Sequence, residues 1–176
     1  MIRFPRSVRP ATWVALTLAF GLGAVPATAQ DSTELLVGAG VFDVAAATDE
    51  GDFDAIEAGL QIRWPTDWAW GIGPMAGVSA NDDGAWWTYL GARRPFALGN
   101  SCWNAGLTFA VTYYEQGDSK DLGNELEFRS GLEFFCRRAG GGSTGFEFYH
   151  LSNASISDVN PGENSLWIYY SVPLGR

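Results

Sequence analysis

The chain contains one histidine, His150, and two residues beyond it stands Ser152. An imidazole beside a hydroxyl is the pairing that nucleophilic acyl transfer requires. The ring takes the serine proton as Oγ attacks an ester carbonyl, then returns it to the leaving alcohol. An acyl-serine forms and water hydrolyses it. The pair closes an aromatic run that reads as a β-strand, with Phe146, Phe148, His150 and Ser152 on one face and Glu147, Tyr149, Leu151 and Asn153 on the other. Same-face neighbours lie about 6.6–7 Å apart along a strand, a gap the two side chains can close between them.

The elements that must position this pair are all of one kind. Eight short runs rich in aromatic and β-branched residues, at about 32–44, 54–64, 69–80, 85–94, 102–115, 125–137, 144–153 and 164–174, are separated by Gly, Asp, Asn and Pro clusters. The sixth run sets Leu126, Phe128, Leu132 and Phe134 against Glu127, Arg129, Glu133 and Arg137, and the second sets Ile56, Leu60, Ile62 and Trp64 against Glu57, Gln61 and Arg63. A soluble sandwich would bury the apolar face; a small membrane barrel would turn it to lipid and pack the charges inside. The even number of runs favours the barrel. So do Trp64, Trp68, Trp70, Trp86, Trp87, Trp103 and Trp167, which fall near run ends where interfacial girdles form. Connections at 45–53, 81–84, 116–124 and 154–163 share one end, and three of them are long. The expectation is an all-β fold, an eight-stranded antiparallel transmembrane β-barrel of the outer membrane. A soluble periplasmic barrel binding an apolar ligand is the competing architecture.

Export is written at the amino terminus. Arg3, Arg6 and Arg9 precede an apolar run from Trp13 to Val25 and the triplet Ala27-Thr28-Ala29, the pattern of a signal peptide over residues 1–29, which leaves residues 30–176 as the barrel. Its loss leaves eight basic against 20 acidic residues, a net charge of −12 that argues against a nucleic-acid partner. Asp49, Glu50, Asp52, Asp82, Asp83, Asp118, Asp121 and Asp158 fall in the long connections, as a solvated surface or as groups bridged by divalent cations to lipopolysaccharide phosphates. With one histidine, no metal site and no cofactor is expected. Cys102 and Cys136, an even pair in an exported chain, are disulfide candidates. They fall on opposite faces of adjacent strands, so a bulge or irregular end must join them.

His150-Leu151-Ser152-Asn153-Ala154, a short loop, and then Asn160-Pro161-Gly162 before an aromatic strand resemble the PagL-type lipid A 3-O-deacylases of Gram-negative outer membranes. The motif covers residues 146–172, and the eight-run layout is similar in architecture. The resemblance implies a serine esterase on the outer barrel wall, facing the outer leaflet. It would remove the acyl chain at the 3-position of lipid A, the lipopolysaccharide anchor. It implies His150 as general base, Ser152 as nucleophile and Asn153 as an oxyanion-hole contributor. The family's glutamate, fourteen residues after the histidine, is here Asn164, with Glu163 one residue early. Strand parity favours Asn164 as the third member, while Glu163 stays an alternative because turn residues need not alternate. The departure also motivates a second reading, a structural or adhesive barrel whose site has decayed. A second copy of the chain is a further candidate partner.

Overall fold

The computed structural model describes residues 31–44 and 55–175. The expected signal segment and Asp49, Glu50 and Asp52 lie outside the described residues. Eight strands follow one another: β1 (Thr33–Phe42), β2 (Ala55–Arg63), β3 (Gly73–Asn81), β4 (Trp86–Ala97), β5 (Trp103–Glu115), β6 (Leu126–Arg137), β7 (Ser143–Ser152) and β8 (Glu163–Leu174). Each pairs antiparallel with the next, and β8 closes on β1 from Thr33↔Leu174 to Val41↔Leu166. Closure leaves no unpaired strand edge, the condition for a sheet to stand in hydrocarbon.

The period-two pattern becomes two surfaces. Outward lie Val37, Leu60, Leu90, Phe109, Leu132, Phe148 and Ile168, all exposed. Inward lie charges that a water-facing sheet would have left outside. Arg63 Nη2 meets Glu133 at 2.9 Å, Arg93 Nη2 meets the same carboxylate at 2.5 Å, and Arg129 Nη1 meets Glu147 at 2.8 Å, every one of these side chains buried. Thr108 Oγ1 and Trp167 Nε1 also donate to Glu147, at 2.6 and 3.1 Å. Buried charges persist only when paired and hydrogen-bonded, and this lumen supplies both.

Three expectations change in detail. The third run begins at Gly73 instead of residue 69, because Trp70 and Gly71 take positive φ (65° and 70°) in a tight turn over Ala69–Gly71. Trp87 and Trp167 are not girdle residues but fill the lumen, as their place beside outward-facing neighbours in β4 and β8 demands. Cys102 and Cys136 are joined by a disulfide. The parity conflict is resolved because Cys102 stands just before β5, where strand geometry has lapsed, and Trp103 pairs with Cys136.

One barrel end carries both chain ends and the connections β2–β3, β4–β5 and β6–β7. The other carries the β3–β4 turn and the β5–β6 and β7–β8 loops, and the β5–β6 loop packs on it. Leu122 of the β5–β6 loop joins the buried cluster that includes Phe42, Trp87 and Tyr114. The Tyr114 hydroxyl donates to Lys120 O at 2.9 Å, and Lys120 Nζ is paired with buried Asp43. The Asn81 amide reaches Ser119 Oγ at 2.9 Å.

Candidate active site

The register of three adjacent strands assembles one row on the outer wall. Ser130 of β6 faces His150 of β7, and His150 faces Asn164 of β8. All three side chains point out of the barrel, because they share parity with Phe128, Phe148 and Leu166. His150 Nδ1 and Asn164 Oδ1 are 3.1 Å apart. An amide oxygen only accepts, so Nδ1 carries the proton in this pairing and Nε2 is left as the basic nitrogen. Glu163 points the other way. It is buried in the lumen, accepting from Ser165 Oγ at 2.9 Å and from the Asp43 amide at 3.4 Å, and is out of the row.

Ser152 ends β7 one pleat beyond His150, opposite Phe128. Among the described residues its hydroxyl has no hydrogen-bond partner, so His150 and Ser152 share a face without a hydrogen bond between them. An open recess of about 380 Å³ lies over the two residues, lined by His150, Ser152, Ala154, Ser155, Asn160, Pro161 and Gly162.

The loop from 153 to 162 makes that recess. Ile156 N donates to Asn153 O at 3.0 Å across Ala154 and Ser155, whose φ values of 53° and 64° are both left-handed. Non-glycine residues pay for that conformation, and it persists only where neighbours enforce it. Here Asn153 is the enforcer. Its Nδ2 donates to Leu122 O at 2.9 Å and to Val159 O at 2.8 Å, and its backbone N–H donates to Asn160 Oδ1 at 3.1 Å. Asn153, expected as an oxyanion-hole contributor, has a wholly buried side chain whose donors are engaged by loop carbonyls.

Two residues of the Asn160-Pro161-Gly162 motif, which the sequence left without a chemical role, stand at the site. Asn160 lines the recess, and because its Oδ1 accepts from Asn153, its Nδ2 is turned to the other side. Gly162 has φ +63°, and a Cβ placed on it would stand 2.7 Å from His150 Cε1, so its missing side chain is the space the imidazole occupies. Ser130 was missed as well. Its only sequence signal is a hydroxyl at an outward position between Phe128 and Leu132.

Below the row, two apolar rows continue toward the chain-end side: Leu132, Phe148 and Leu166, then Phe134, Phe146 and Ile168. A hydroxyl and a basic imidazole above a lipid-soluble wall can cleave an ester whose acyl chain lies against that wall.

Known proteins resemble this one in two ways. The model of the family described as "Lipid A 3-O-deacylase (PagL)" matches residues 54–173. Among solved structures, the crystal structure of the outer membrane enzyme PagL superposes with TM-score 0.67 at 18% identity, over 80% of this chain and 99% of that one. A de novo designed transmembrane β-barrel superposes with TM-score 0.55 at 9% identity, over 85% and 100% of the two chains. At these identities the superpositions establish the fold. No curated protein matches the chain. The family match spans six of the eight strands whole and takes in both the histidine–serine strand and its asparagine partner, and on it the chain belongs to the PagL family of lipid A 3-O-deacylases, ester hydrolases of the outer membrane.

Proposed function

We propose that this chain removes the acyl chain esterified at the 3-position of lipid A by a serine-esterase mechanism, with the loop end of the barrel toward the outer leaflet. The observation that carries the reading is the row His150–Asn164 with Ser152 one pleat away, on the wall that faces lipid.

The ester carbonyl enters the recess with its acyl chain down the Phe148 and Leu166 wall. Ser152 Oγ attacks the carbonyl carbon while Nε2 of His150 takes the hydroxyl proton, and Asn164 holds the ring through Nδ1–H. Collapse of the tetrahedral intermediate breaks the bond to the sugar oxygen, which receives the proton from His150. Water, activated by the same nitrogen, then releases the fatty acid and frees Ser152. In place of Asn153, the Asn160 amide Nδ2 is the donor assigned here to the developing oxyanion, since its orientation is fixed in advance by the Asn153 amide. Ser130, beside His150, lies against the first carbons of the acyl chain and is assigned to contact a polar substituent there.

A fluorophosphonate carrying a long alkyl chain tests the nucleophile directly. Intact-mass and peptide analysis should find one adduct, on Ser152, that His150→Ala abolishes. An adduct elsewhere, or one that forms equally without His150, refutes the assignment.

A further inference from the structure

The charge around this site is lopsided. Of the cations outside residues 1–29, Arg63, Arg93 and Arg129 are locked in the lumen, and Arg137 and Arg138 stand at the chain-end side. Arg94 lies low on β4, and Arg176 is the last residue of the chain. The loop end has a single cation, Lys120, and the sequence between β1 and β2 adds none. Lys120 is already paired with buried Asp43. Against it stand Asp82 and Asp83 on the β3–β4 turn, Asp118, Asp121 and Glu125 on the β5–β6 loop, and Asp158 on the site loop, all exposed.

Apart from Asp158, what the site loop offers a lipid is apolar or neutral. Ile156 and Val159 are exposed by 56% and 54%. The recess itself is lined by hydroxyls, an amide, Ala154, Pro161 and Gly162, apart from the catalytic ring. A phosphate docking beside it would find no guanidinium or ammonium on the site loop, and six exposed carboxylates at the same end of the barrel. Phosphate recognition elsewhere relies on bidentate Arg or on Lys, and neither is on offer here.

We propose that the lipid taken at His150 and Ser152 is selected through its ester and acyl chain and against headgroup phosphate, so that lipid A without phosphates is the preferred substrate. The inference rests on the deacylase reading above and adds the charge class of the headgroup. Bound phosphate raises the electrostatic cost of docking at low ionic strength; salt or a divalent cation lowers that cost without touching the chemistry.

The test uses the purified barrel in neutral-detergent micelles at low ionic strength with EDTA. Two substrates are compared, bisphosphorylated lipid A and the same lipid A with both phosphates removed, by initial rates of fatty-acid release. The expected kcat/KM is about tenfold higher for the phosphate-free lipid, the order that charge steering produces. Magnesium should speed only the phosphorylated arm, and so should Asp158→Lys, with the phosphate-free rate unchanged. Equal rates, or a faster phosphorylated arm, overturn this inference and leave the deacylase reading standing. Hydrolysis of neither lipid overturns both.

Discussion

At the scale of single residues, the site departs from a charged triad at one atom. Asn164 holds His150 with a neutral oxygen, so it orients the ring but lends no charge to the imidazolium. A charge-assisted hydrogen bond is worth about 1–1.5 kcal/mol more than a neutral one, close to one factor of ten in rate. Asn164→Asp should therefore raise kcat about tenfold with KM little changed, whereas Asn164→Leu should lower it by at least as much. Steady-state deacylation rates read both. An aspartate variant slower than the wild type would mean that Asn164 does something other than hold the ring. The placing of Asn164, and not Glu163, on the face of His150 was legible in the sequence, because strand parity is a two-residue rule that needs no coordinates. The role of Asn153 was not. Its neighbour in the chain is the proposed nucleophile, but its bonds go to Leu122 of another loop, and nothing local in sequence announces a contact 31 residues away.

At the scale of elements, the β7–β8 connection does the positioning. Gly162 stands just before β8, whose register sets Asn164 against His150, and its lack of a side chain leaves room for the ring. Gly162→Ala meets both a left-handed backbone and His150 Cε1 at 2.7 Å, so the imidazole must shift. A displacement approaching 1 Å costs on the order of 100-fold in rate. The expected result is a folded, heat-modifiable barrel with kcat/KM down by about that factor; full activity would show that the ring is placed by other contacts. In the sequence Asn160-Pro161-Gly162 has turn-forming composition, but the turn lies earlier, at Ala154 and Ser155. That Gly162 packs against His150 depends on register between strands, and register is a property of pairs. Strand positions were recovered closely except at Trp68 to Ile72, where an apolar run looked extended and instead bends through Trp70.

At the scale of the whole molecule, the barrel is held by lipid outside and by an ion-paired lumen within. Glu147 is, with Glu133, one of two dense nodes, accepting from Arg129, Thr108 and Trp167, with Arg63 3.9 Å away. Removing it strands buried guanidinium charge, a loss of about 3–5 kcal/mol. Glu147→Ala should lower the urea midpoint of unfolding accordingly, while the fraction that remains folded keeps its deacylation rate, since the node faces away from His150. Unchanged stability would mean that the lumen rearranges or hydrates at little cost. Closure into eight strands followed from counting alternating runs. Which tryptophans turned inward did not, because Trp86 and Trp87 are equivalent as composition and differ only by parity. The central claim remains the chemistry of one hydroxyl on the outer wall. Mass spectrometry of lipid A incubated with the purified wild-type barrel and with Ser152→Ala tests it most directly. Loss of the 3-linked acyl chain is expected with the wild type, and intact lipid A with the equally folded variant. Undiminished release by Ser152→Ala, or none by the wild type, would contradict it.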